Sequence, residues 1–126
     1  MRAVDTNILV RLVTRDDHRQ LPIAEAFIAR GAWVSTLVLA ETSWVLATVY
    51  GLEHDEIAIV VEMLLAHEHL SLQDADVVAA ALAHYRSTPA LGFTDCLVLE
   101  LARKAGHLPL GTFDKRLGKL DGAERL

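Results

Sequence analysis

Short β-like runs alternate with longer stretches of helical spacing along the whole chain, and this alternation constrains the fold more than any other feature. Residues 2–4, 33–35, 70–72 and 109–112 read as strands, and residues 7–12, 21–29, 36–50, 55–67, 74–85 and 94–105 carry apolar side chains at helical intervals. Helices that separate consecutive strands let those strands run parallel and cover both faces of the sheet. The expected fold class is therefore α/β, a three-layer α/β/α sandwich around a central, mostly parallel sheet of roughly four or five strands. Punctuation supports these limits: Pro22 stands in a first turn, Gly31, Gly51 and Gly106 follow helix ends, and Thr94 is placed to cap the last helix. With 126 residues, no repeat and no low-complexity linker, one domain over 1–126 is expected, its polar, Gly-containing tail 118–126 loosely held.

The stretch TLVLAETSWVLATVY, residues 36–50, is apolar almost all round, so it is expected to be buried or to form an interface. Trp44, Val45 and Tyr50 lie on it, core by default, with the two aromatics also suited to anchoring a homodimer or a partner helix. No apolar run approaches the roughly 18 residues of a spanning helix, and a membrane protein is excluded. A composition 52% hydrophobic and 23% charged lies far from that of a disordered chain. Seventeen acidic against 12 basic side chains, net −5, argue against a basic nucleic-acid clamp. A single cysteine, Cys96, and no basic leader with a cleavage site point to the cytoplasm.

Four carboxylates stand where strands or loops give way to helices: Asp5 after the first strand, Glu41 in the helix after the second, Asp95 at a late helix start, and Asp114 past the last strand. Capping and the helix dipole alone account well for an isolated Asp at such a place. Glu41 is different, since Leu37 and Trp44 are its helical neighbours, and a cationic group is expected near it to offset burial. In an open parallel sheet, ligands bind at the carboxyl ends of the strands, so Asp5, Glu41 and Asp114 are expected to converge there. Oxygen donors without sequence-adjacent bases suit a hard cation such as Mg²⁺, which keeps waters and takes substrate phosphate oxygens. Such a cation would turn an acidic hollow into one that attracts phosphate.

VDTNILV near the start, AET at 40–42, GFTDCLVLELARKAG from Gly92 and TFDKRL from Thr112 together resemble PIN-domain ribonucleases, specifically the VapC toxins of bacterial type II toxin–antitoxin modules. The resemblance spans residues 4–117 in order and spacing. It implies a Mg²⁺-dependent endoribonuclease, with Mn²⁺ able to substitute, that hydrolyses RNA to 5′-phosphate and 3′-hydroxyl ends without a protein nucleophile. It implies Asp5 and Asp95 as metal ligands, Glu41 and Asp114 as acids acting directly or through water, and Asn7 and Thr112 as supporting polar groups. It further implies a homodimer, held in a heterotetramer or larger assembly by a VapB-type antitoxin whose C-terminal segment lies in a hydrophobic groove, an Arg commonly reaching the acids. Two positions depart from many relatives: Gly92 replaces a further Asp, leaving one carboxylate fewer for a second metal, and Leu117 replaces an aromatic.

Other readings fit the same residues less well. A receiver-like phospho-signalling module needs an acidic pair after the first strand and an Asp ending a central one, but Asp5 stands alone and Gln73 follows 70–72. A haloacid-dehalogenase-like phosphatase needs a second Asp where Asn7 stands. A catalytically silent PIN-like interaction domain is the remaining alternative. His67 and His69 are spaced to share one strand face, without the further ligands of a zinc site. Cys96 reads as core, and Lys115 and Arg116 as solvated side chains within reach of an RNA phosphate.

Overall fold

The β/α alternation is present in the computed structural model, which describes residues 1–126, and the chain divides into two units, Met1–Ala75 and Asp76–Leu126. The first unit runs β1 (Arg2–Ala3), α1 (Thr6–Thr14), α2 (Gln20–Ile28), β2 (Ala32–Val34), α3 (Thr36–Thr48), α4 (His54–Ala66) and β3 (Leu70–Leu72). Its strands form a parallel sheet in the order β1-β2-β3, with Ala32 opposite both Arg2 and Leu70. Leu9, Val34, Leu39, Leu46 and Val61 are fully buried, each worth about 2 kcal/mol of apolar transfer.

Local chemistry sets the helix starts in this unit. Ser35 caps α3, its Oγ accepting from Val38 N at 3.1 Å, and Glu53 and Glu56 form a capping box at α4. Gln73, just past β3, accepts from the Thr36 backbone N–H at 3.0 Å through Oε1, which ties the end of that strand to the start of α3. Gly51 takes the left-handed backbone, φ +68°, beyond the end of α3.

The second unit begins one residue into α5 (Ala75–Ser87) and continues with α6 (Phe93–Ala105), β4 (Leu110–Thr112), a 3-10 turn (Leu117–Lys119) and β5 (Ala123–Arg125). Strands β4 and β5 pair in parallel, Thr112 opposite Arg125. Val78, Cys96, Leu97 and Leu99 fill the interior, and Tyr85 meets Phe93 edge to face at 5.7 Å. The α/β class and the parallel pairing are as expected, with the strands arranged three plus two. No helix is long and apolar enough to cross a membrane.

Several local expectations are corrected. In the tail, Arg103 donates to the Asp121 carbonyl at 2.6 Å, Leu110 N donates to the Gly122 carbonyl at 2.8 Å, and Leu126 N donates to the Thr112 carbonyl at 2.9 Å. Gly122 is required for this closure, because it has φ +93° and a Cβ there would fall 2.8 Å from the Arg103 guanidinium. Helix α6 starts at Phe93 with Gly92 as its N-cap, so Thr94 lies within its first turn. His67 and His69 belong to the turn before β3, where His67 Nδ1 accepts from His69 N at 3.1 Å. Helix α3 is buried along one side only; Leu37 and Trp44 on the other are 76% and 62% exposed.

Candidate active site

Each unit contributes two of the four acids singled out by sequence. Asp5 is the N-cap of α1, and its Oδ1 accepts from Thr6 N at 2.7 Å, which leaves the second carboxylate oxygen uncommitted. The group is exposed, as are Asn7 and Glu41. Asp5, Thr6, Asn7, Arg11, Glu41 and Tyr50 line one open recess of about 290 Å³. The expected cation beside a desolvated Glu41 is not required, because Glu41 faces water between the exposed Leu37 and Trp44. Arg11, which shares the recess, is engaged with Asp16 at 2.9 Å and the Tyr50 hydroxyl at 3.3 Å. In the same recess Thr6 Oγ1 is buried without a hydrogen-bond partner.

In the second unit Asp95 occupies the first turn of α6, half-buried, and accepts a hydrogen bond from the Gly92 backbone. Desolvation, and then the negative charge of Asp114, hold its carboxyl above the usual carboxylate range. Asp114 Oδ1 accepts from Arg116 N and Leu117 N, each at 2.8 Å, and so caps the 3-10 turn. Thr112 Oγ1 accepts from Asp114 N at 3.0 Å and fixes where this acid leaves β4.

The positions that depart from the VapC-like pattern differ in character. At Gly92 the backbone is ordinary and a Cβ would meet Asp95 Oδ2 at 3.7 Å, so the site has room for a side chain. Leu117 is buried, an apolar anchor of the turn that carries Asp114. Next to the acids, Cys96 is fully buried, and burial with the charges of Asp95 and Glu100 pushes its thiol up to about 11. It is protonated at neutral pH and is no nucleophile.

Sequence reasoning passed over a buried polar cluster. Glu100, 6% exposed, meets His84 Nε2 at 2.6 Å and Arg103 Nε at 3.1 Å, and Arg103 in turn holds the Asp121 carbonyl. The signal in the chain is Glu100 inside the apolar run LVLEL with Arg103 one turn on.

The donor chemistry suits Mg²⁺. All four candidate donors are carboxylates, two of them repel each other within one unit, and a buried hydroxyl next to Asp5 lacks a partner. Neither unit gathers three His, Cys, Asp or Glu side chains into a ligand group.

The profile of the PIN domain matches residues 2–123, and the chain belongs to the PIN-domain family. PIN domains are generally nucleases that act on nucleic acid, and they typically bind divalent metals. No curated protein and no solved structure gives a match.

Proposed function

We propose that this chain is a Mg²⁺-dependent endoribonuclease, a VapC-type toxin that hydrolyses RNA phosphodiester bonds in the cytoplasm, inhibits translation and growth, and is neutralised by a VapB-type antitoxin. The observation that carries the reading is the PIN-domain match over residues 2–123, and half-buried Asp95, its carboxyl raised by desolvation and the charge of Asp114, is the acid in it that would gain most from a cation. Asp5 and Asp95 would hold the metal, with Glu41 and Asp114 acting directly or through water. When bound, Mg²⁺ supplies charge neutralisation at the phosphate and activates water for in-line attack. The chain's own part is positional: the α1 cap orients Asp5, the Gly92 backbone orients Asp95, and Thr112 with the 3-10 turn orients Asp114. Asn7 lines the same recess as Asp5 and Glu41.

Exposed Leu37 and Trp44 on α3 support self-association as a homodimer, and a heterotetramer or larger assembly with antitoxin. A separate recess of about 400 Å³, lined mainly by apolar groups such as Leu12, Ile28, Val60 and Met63, supports docking of an antitoxin segment. The test is cleavage of total cellular RNA across a Mg²⁺ and Mn²⁺ titration, with EDTA, Asp5→Asn and Asp95→Asn as controls. Metal-dependent cutting lost in both variants is the expected result; wild-type cutting by either variant removes that residue from the mechanism. A metal-dependent rise in melting temperature with no RNA cut would support the silent interaction domain.

A further inference from the structure

The units differ in charge: the first holds eleven Asp and Glu against five Lys and Arg, the second six against seven. The negative charge of the chain therefore lies in the first unit, and the second has cations to spare. Those on α6 are committed, Arg103 to Glu100 and Asp121, and Lys104 to Asp76 at 3.0 Å. By contrast Lys115, Arg116, Lys119 and Arg125 are exposed, and no acidic or polar partner holds their side chains.

These four cations are close in the fold although the last is distant in sequence. Lys115, Arg116 and Lys119 sit on the tight turn capped by Asp114, where Gly118 N donates to the Asp114 carbonyl at 3.0 Å. Arg125 is in register with Thr112 across the β4–β5 pair, and a Cβ at Gly118 would fall 2.7 Å from its own Cβ. The 3-10 turn is thus seated directly on the Arg125 end of β5. Glu124, the next residue on that strand, alternates to the opposite side. Phe113, immediately before Asp114, is 83% exposed, an aromatic ring left in water beside the unpaired cations.

A cluster of unpaired cations around an exposed ring matches the chemistry of single-stranded nucleic acid, which offers backbone phosphates to the cations and an unstacked base to the ring. We propose that Phe113, Lys115, Arg116, Lys119 and Arg125 form the docking strip that holds single-stranded RNA next to Asp114; this rests on the reading of the chain as a nuclease acting on RNA. The cations take backbone phosphates, and Phe113 stacks on a base. The strip would let a chain of net charge −5 engage a polyanion, because the net negative charge lies in the other unit.

Fluorescence anisotropy with a 5′-labelled single-stranded RNA of about ten nucleotides, in EDTA so that binding is read without cleavage, tests the strip. Lys115→Gln/Lys119→Gln and Arg116→Gln/Arg125→Gln are each expected to flatten the plot of log affinity against log salt by about 0.7 for every phosphate that the variant no longer neutralises. Phe113→Ala is expected to weaken binding roughly tenfold or more, and Phe113→Trp to restore it. Melting temperature should hold in all of them, because every altered side chain is exposed. Wild-type protein that binds and cuts RNA, with variants unchanged in affinity and salt slope, would overturn the strip while leaving the nuclease reading intact. Wild-type protein that binds no RNA would overturn both. Poly-glutamate bound as tightly as RNA, with no effect of Phe113→Ala, would make the patch a surface for acidic proteins and also overturn the proposal.

Discussion

Asp5 and Asp95 hold similar places, each at the start of a helix, yet the units around them give them different surroundings. In the acidic first unit Asp5 is exposed, and one oxygen is satisfied by the helix it caps. In the second unit Asp95 is half-buried and faces Asp114, so its charged form is disfavoured. At Asp95 the perturbation comes from desolvation and a second carboxylate. The second unit thus holds a half-buried acid with a carboxylate neighbour, and the first presents solvated acids.

The largest expected effect is on activity: Asp95→Asn should lower the rate of RNA cleavage by at least about 100-fold, measured at saturating Mg²⁺, with no loss of melting temperature. Asp5→Asn should cost as much activity and leave stability unchanged, because Asn caps a helix as well as Asp. Retention of activity by Asp5→Asn alone would turn the contrast into a division of labour. Next in size is Glu100→Ala, which strips the buried partner from His84 and Arg103; it should destabilise the chain by about 2–3 kcal/mol, read from urea unfolding.

An effect of comparable size comes from the cation itself. At about a hundredfold excess over Kd, Mg²⁺ should add about 2.7 kcal/mol, seen as a rise in melting temperature that Asp95→Asn reduces more than Glu41→Gln. The smallest effect distinguishes two acids of one unit by sign. Asp76 lies below the usual range because Lys104 hydrogen-bonds it, so its contribution is present above the ordinary pKa near 3.8 and lost as pH falls through its lower folded value. Asp95 lies above that range, so in EDTA its contribution is present below pH 3.8 and lost as pH rises through its raised folded value. Melting curves from pH 3 to about 7 should show Asp76→Asn losing ground to wild type as pH rises, and Asp95→Asn gaining it.

Much of this architecture is legible in the chain. Leu70–Leu72 emerges at the limits expected, and the helices fall within a few residues of theirs, because apolar period and glycine placement are local properties. Errors arise where a distant group decides the outcome. Composition does not reveal the bonds that Arg103 and β4 make to the tail 118–126. The apolar helix α3 reads as buried or as an interface, and the sequence does not say that the side left uncovered carries Leu37 and Trp44. Glu41, by its helical neighbours, calls for a cation and instead stands in water.

The sequence by itself determined the alternation of strands and helices, the identity of the acids and their places beside strand and helix ends, because each depends on neighbours within a few residues. Only the tertiary structure decided which oxygens remain uncommitted, that Asp95 is desolvated beside Asp114, that Glu100 is buried between His84 and Arg103, and that Arg125 joins the cations of the 115–119 turn. The physical reason is that desolvation and Coulomb energy depend on distance through space. Hydrophobic period and capping act along the chain and can be read from it directly.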